Sequence, residues 1–397
     1  MSARRTYLDH NATAPLRPEA RAAMLAAIEL TGNASSVHTE GRAARRLVEA
    51  ARAQVAALVD ADPVEVVFTS GATEANNWVM RAGWDVIAVA GIEHDSVLAP
   101  ARVSGSELVE LTSGTDGVVA LEALSEGLRG RGGRTGRRLL SLHAANAETG
   151  VIQPVAEAAA LARECGAVLH TDAVQAVGRV SISCRALGLD LVSVSAHKLG
   201  GPKGIGALII RDGVELPPLL LGGGQEGRRR AGTENIAAIA GFGAAAQSAR
   251  LDLVRMDRLT ALRYRLEAGV REFTPGVHIF GQSAPRLPNT TCMALPGLPA
   301  STLLIRLDLS GIAVSAGSAC SSGKIGASQV LKAMGVAEQL AASAIRVSLG
   351  SDSTDADVDH FIEVWAGIQR DTGVRRISSF VAARERSRTP DELTAGE

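Results

Sequence analysis

Short apolar runs at residues 64–68, 86–89, 139–142, 167–169 and 191–194 recur along the first half of this 397-residue chain, each closing on small or polar residues. Stretches with helical spacing separate them, among them residues 18–30, 41–58 and 155–165. Parallel strands cannot be joined by a tight turn, so this alternation predicts a mostly parallel sheet with helices on both faces. In such a sheet ligands bind beyond the carboxyl ends of the strands. The polar groups that follow each run are therefore the candidates for chemistry.

The run Ser195-Ala196-His197-Lys198-Leu199-Gly200-Gly201-Pro202-Lys203-Gly204 directly follows one of these strands. A lysine there suits a Schiff base with an aldehyde cofactor, with His197 and Ser195 holding the cofactor's polar edge. Another strand end carries Asp172, which can keep a pyridinium nitrogen protonated and its ring an electron sink, or can simply cap a helix. In Thr69-Ser70-Gly71-Ala72-Thr73-Glu74 a strand passes into a helix through small hydroxyl-bearing residues. The free N–H groups at that helix start, with Ser70 or Thr73, form a phosphate cup, although hydroxyls there serve equally as caps. His94 lies just beyond a further strand end, placed either over an aromatic ring or at an exposed helix start. Together these groups meet the needs of pyridoxal phosphate.

Aromatic residues are only 3% of the chain while glycine numbers 42, so aliphatic and alanine side chains must fill the core at close backbone approach. With 41 basic against 42 acidic side chains, charge supplies no case for nucleic acid or anionic membranes. No apolar stretch reaches membrane-spanning length and no signal-like core opens the chain, so a cytoplasmic protein is expected. Cys165, Cys184, Cys292 and Cys320 show neither a paired motif nor metal-ligand spacing, so free thiols and no metal are expected. Cys320 differs from the others in lying among serines and glycines, a setting that suits a nucleophile better than a buried thiol.

Residues 1–14 read as an N-terminal arm packing with a small domain, 15–257 as a large domain, 258–384 as a smaller α+β domain carrying Cys320, and 385–397 as a flexible tail. Within the smaller domain, strands are expected at 289–295 and 345–349 and a helix at 355–370. The arginine- and glycine-rich residues 129–138 read as a mobile, solvated connection, an RNA contact being the weaker alternative. Arg228, Arg229 and Arg230 suit either an anionic ligand, a neighbouring subunit or plain solvent.

Taken in order, these motifs resemble the cysteine desulfurases of the nitrogen-fixation and iron-sulfur-cluster group. The resemblance spans Tyr7 to Ile362 and includes Glu93-His94, His170-Thr171-Asp172-Ala173-Val174-Gln175, Ser318-Ala319-Cys320 and Arg346-Val347-Ser348-Leu349-Gly350. It implies a homodimeric pyridoxal-phosphate enzyme of fold type I, with a seven-stranded type of sheet in the large domain. It also implies L-cysteine as substrate, alanine as product and an enzyme-bound persulfide passed to a protein acceptor, with iron-sulfur assembly the expected destination.

Carried over by position, Lys198 is the Schiff-base lysine, Asp172 the pyridine-nitrogen partner, Gln175 a ligand to the cofactor hydroxyl and His94 the stacking ring and proton shuttle. Ala72, Thr73, Ser195 and His197 border the phosphate, joined by Thr233 from the other subunit. Asn33 and Arg346 hold the substrate carboxylate, and Cys320 attacks the substrate sulfur. The chain departs from the family pattern in three places. Ala147 replaces an asparagine that usually meets the cofactor hydroxyl, leaving Gln175, Asn146 or water to compensate. Ala34 replaces a proline, and Gly227-Arg228 reverses the common order. Selenocysteine lyase, an aminotransferase and a cofactor-bearing sulfur-acceptor scaffold remain the competing functions.

Overall fold

A computed structural model describes residues 5–129, 131–133, 136–317 and 328–386, without the side chains of 127 and 371–386. Seven strands form the main sheet: β1 (Val66–Thr69), β2 (Val86–Ala90), β3 (Glu107–Leu111), β4 (Arg138–Ser141), β5 (Ala167–Asp172), β6 (Leu191–Ser195) and β7 (Gly206–Ile210). Their order is β1-β7-β6-β5-β4-β2-β3, and all neighbours are parallel except β7, which runs against both β1 and β6.

Alternation along the strands explains why both faces are covered. Phe68, Ala88, Leu140, Val192 and Ile209 join one core with helices Thr39–Leu58 and Ile236–Asp252. Their neighbours Val67, Ile87, Leu139, Leu191 and Leu208 turn to the other side, against helices Ala72–Met80 and Asp95–Arg102. Each fully buried aliphatic side chain contributes about 1.5–3 kcal/mol relative to exposure. Gly243 shows what the many glycines achieve: a Cβ there would lie 2.6 Å from the Ala51 Cα, so only glycine lets these two helices approach so closely.

Two local expectations need correction. Residues 64 and 65 are not strand but part of a short 3₁₀ turn, Pro63–Glu65, closed by Glu65 reaching back to the Asp62 N–H at 2.8 Å. Strand β3 lacked an apolar run because it is an edge strand whose Glu107 and Glu110 face solvent. The arginine-rich connection is also not simply solvated. Arg137 lies 4.4 Å over the Trp84 ring and donates to the Ala82 carbonyl at 2.7 Å, while Arg138 donates to the Cys165 carbonyl at 3.0 Å. These two guanidiniums bind the connection to the sheet edge, because their carbonyl partners would otherwise be left without donors.

Beyond helix Met256–Phe273, a four-stranded antiparallel sheet is built from His278–Ile279, Thr290–Ala294, Ala344–Ser348 and Ser315–Ala316. A separate apolar cluster fills this region, with Leu262, Leu266, Leu303, Ile345, Phe361 and Trp365 at its centre. Thr6–Tyr7 pairs with Ile312–Ala313, and Leu8 is buried in the same cluster. Helix Asp355–Arg386 continues past the expected end at Arg370.

Candidate active site

Strand β6 ends at Ser195 and is followed by the single 3₁₀ turn Ala196–Lys198, which rotates Lys198 toward the sheet's carboxyl edge. The neighbouring strand β5 ends at Asp172, in register with Ser193. Lys198 and Asp172 therefore arrive at one cavity of about 650 Å³ from adjacent strands. Ala72, Thr73, His94, Gln175, Ser195, His197 and Arg346 also line it.

Several of these groups have definite partners. Lys198 Nζ donates to the carbonyls of Asn11 at 2.6 Å and Ala12 at 2.8 Å, so the N-terminal arm closes one side of the cavity. Asp172 accepts from the Val174 N–H at 3.0 Å and from Asn76 Nδ2 at 2.8 Å. Gln175 donates from Nε2 to the Asn11 carbonyl and receives Arg179 on Oε1 at 2.6 Å. Burial, reinforced by the charge of Arg346, pulls Arg179 down to about 10. Burial also pulls His197 down to about 4, aided by Lys198 and Lys203, and its Nδ1 lies 3.2 Å from Thr13 Oγ1.

Arg346 crosses from the smaller sheet. It donates from Nη1 to the Ala147 carbonyl at 3.1 Å and from Nη2 to Asp9 Oδ1 at 2.8 Å, while its buried Nε has no hydrogen-bond partner among the described residues. At position 147 the side chain is a methyl group. Asn146 does not replace the missing amide, because its Oδ1 accepts from Glu148 N and Thr149 N and its Nδ2 donates to the Ile92 carbonyl. Gln175 also lines the cavity, with its amide held between the Asn11 carbonyl and Arg179.

Asn33 and Thr233 are not brought to this cavity within one chain. Asn33 Oδ1 accepts from Ser35 N at 2.8 Å in its own turn, and Thr233 is exposed on the surface. Cys320 lies outside the described residues, though Gly317, three positions before it, lines the cavity. Of the three arginines, Arg229 donates to the Val64 carbonyl at 2.6 Å and Arg230 to Glu74 Oε1 at 3.0 Å, whereas Arg228 is exposed.

Sequence reasoning missed several groups here. No role is read from the sequence for Asp9, Asn76, Ser96, His143 or Lys203, yet Ser96, His143 and Lys203 line the cavity, Asp9 meets Arg346 and Asn76 meets Asp172. Lys203 alone had a signal, standing five positions after Lys198 in the same glycine-rich turn.

The donor set fits pyridoxal phosphate. A carboxylate and an amine face one cavity, and the helix Ala72–Met80 opens beside them with first-turn N–H groups that suit a phosphate. A hydroxyl at Ser195 and an imidazole at His197 stand at the same rim.

Residues 6–361 match the profile of the aminotransferase class-V family. A cysteine desulfurase of Gluconacetobacter diazotrophicus is 41% identical, the alignment covering 91% of this chain and 92% of that protein. Among solved structures, a NifS-like protein from Rickettsia africae superposes with a TM-score of 0.85 at 36% identity, covering 92% of this chain and 99% of that one. A further structure, SspA in complex with cysteine, superposes with a TM-score of 0.76 at 27% identity, covering 88% and 100%.

Proposed function

The chain belongs to the cysteine desulfurases, pyridoxal-phosphate-dependent members of the aminotransferase class-V family, and from that premise we propose how its own residues carry the reaction. Bound pyridoxal phosphate supplies an aldehyde for amines and a ring that takes up electrons. The observation that carries the assignment of residues is the convergence of Lys198 and Asp172, from neighbouring strand ends, on one cavity.

Lys198 is the amine that would hold the cofactor and would move the α-proton of L-cysteine. Asp172 holds a proton at the ring nitrogen, and its two hydrogen bonds keep the carboxylate aimed there. Thr73, Ser195, His197 and the N–H groups at the start of helix Ala72–Met80 bind the phosphate, with Thr233 arriving from a second copy in a homodimer. Gln175 meets the ring hydroxyl in place of the amide absent at Ala147. Arg346 and Asn33 bind the substrate carboxylate, and His94 holds a proton near the substrate thiol.

The Cys320 thiolate attacks the substrate sulfur. One S–S bond forms and the substrate C–S bond breaks. The electron pair stays with carbon, which takes a proton to give alanine, and Cys320 is left as the persulfide. The sulfur then passes to a protein acceptor in the cytoplasm, most simply one serving iron-sulfur assembly.

The test is to incubate the holoprotein with L-cysteine and measure alanine together with the mass of Cys320. Equal amounts of alanine and of Cys320 carrying one added sulfur are expected in a single turnover. Alanine without modified Cys320 would remove that thiol from the scheme, and keto acid in place of alanine would point to an aminotransferase. Capture of sulfur by an iron-sulfur scaffold protein tests the destination separately.

A further inference from the structure

His94 and Asp172 stand on different elements of the cavity wall, and a line of hydrogen bonds joins them. Asn76 Nδ2 lies 2.8 Å from Asp172 Oδ2 and 2.9 Å from Ser96 Oγ. Ser96 Oγ in turn lies 2.8 Å from His94 Nδ1, which also receives the Ser96 backbone N–H at 3.0 Å. Asn76 is wholly buried and Ser96 nearly so.

The polarity of this line follows from its ends. A carboxylate only accepts, so Asn76 must present its amide nitrogen, giving one hydrogen to Asp172 and the other to Ser96. Its Oδ1 is left buried with no partner among the described residues, which an unconstrained amide would avoid by turning over. Having accepted from Asn76, the Ser96 hydroxyl has its own hydrogen free for His94 Nδ1. That nitrogen therefore faces two donors and cannot carry a proton without displacing both. His94 also caps the N-terminus of helix Asp95–Arg102, where unpaired N–H dipoles disfavour a cation.

We infer that Asn76 and Ser96 are positioning residues that hold His94 in its Nε2–H tautomer and tie it to the Asp172 carboxylate, so that the ring offers the cavity a hydrogen-bond donor. This rests on the reading above that His94 and Asp172 face the cofactor and substrate. It adds which nitrogen of His94 acts and which residues decide it.

The test uses holoprotein labelled with ¹⁵N-histidine, its His94 signals identified by their loss in His94→Gln. At pH 8 the wild type should show an unprotonated Nδ1 and a protonated Nε2. Ser96→Ala should move the ring toward a mixture of tautomers, less than fully because the backbone N–H remains, and Ser96→Thr should restore the wild-type spectrum. Asn76→Leu frees the Ser96 hydroxyl to turn away and should also produce the mixture. Both Ser96→Ala and Asn76→Leu should lower kcat about tenfold, the worth of one ordinary hydrogen bond, with little change in KM for L-cysteine. A wild-type His94 protonated on Nδ1, or spectra unchanged in both variants, would overturn the inference. If a variant fails to fold, the wild-type tautomer alone decides it. Absence of alanine from a wild type with the expected tautomer would instead count against the reaction assigned above.

Discussion

Arg346 and Asp9 are 337 positions apart, and their side chains meet at 2.8 Å on the cavity wall. Asp9 is held in turn by the Ser315 hydroxyl at 2.8 Å, so the guanidinium is aimed before any substrate arrives. We predict that Arg346→Lys raises KM for L-cysteine about 10- to 100-fold, because lysine cannot reproduce a two-pronged carboxylate contact worth about 1.5–3 kcal/mol. Asp9→Asn should raise KM by a smaller factor through loss of aim. Steady-state kinetics on both variants, with cofactor absorbance to verify loading, check this; an unchanged KM in Arg346→Lys would remove that residue from substrate binding.

The loop bearing the three arginines is anchored by Glu226. Arg52 grips Glu226 with two bonds of 2.8 Å, and Glu226 Oε2 also accepts the Phe68 N–H at 2.9 Å. Removing the guanidinium strands a buried carboxylate, so Arg52→Met should destabilise the protein by about 3–5 kcal/mol. Adding Glu226→Gln should recover part of that loss. Urea denaturation of the single and double variants measures the coupling, and simple additivity would show that the pair acts independently.

Acid should weaken the fold through its buried histidines. His170 is fully buried between the hydroxyls of Ser141 and Ser193, and burial pulls it down to about 4, only partly offset by Asp172. A histidine with a lowered value binds fewer protons folded than unfolded. Its contribution is therefore complete above about pH 6.5 and is lost as pH falls through about 4, amounting to about 3 kcal/mol for His170. His197 acts in the same direction. Denaturation midpoints between pH 7 and 4 should fall, and His170→Asn should flatten the slope; a wild-type profile without slope over that window would contradict this.

Glu148 works with the opposite sign. Burial raises its carboxyl above the usual range against the opposing pull of the Ser328 hydroxyl, which donates to Oε2 at 2.5 Å. A raised acid binds more protons folded than unfolded. Its stabilisation is complete below the unfolded value and is lost as pH rises through the folded one. Glu148→Gln keeps the acceptor for Ser328 and removes the titration, so we predict that the variant gains stability relative to wild type on going from pH 5 to pH 8. A constant difference between the two proteins across that range would show that the carboxyl is ionised throughout.

Reactivity of the thiols is also predictable. Burial pushes Cys184 up to about 12 and Cys292 higher still. Both should resist iodoacetamide at pH 8 in the folded protein and react only on unfolding, as peptide mass mapping would show. Rapid alkylation of Cys292 would contradict its complete burial.

The sheet, its parallel sense and its reactive edge were legible in the chain because periodicity and composition act locally. Apolar runs such as 191–194 had to be buried on both faces, and the glycines and polar groups after them had to stand at the edge. Lys198, Asp172, His94 and Thr73 could be picked out for that reason. Strand β3 was hidden because an edge strand needs fewer apolar residues, and the ties of Arg137 and Arg138 were hidden because a charged side chain carries no mark of the carbonyl it will meet.

Partnership was what only the tertiary structure decided. Asp9 with Arg346, Asn76 with Asp172 and Ser96, and Arg52 with Glu226 are pairings between distant elements, each satisfying a group that closure of the chain withdraws from water. A buried polar atom must find a partner, but which partner depends on the packed arrangement of helices and strands and not on its neighbours along the chain.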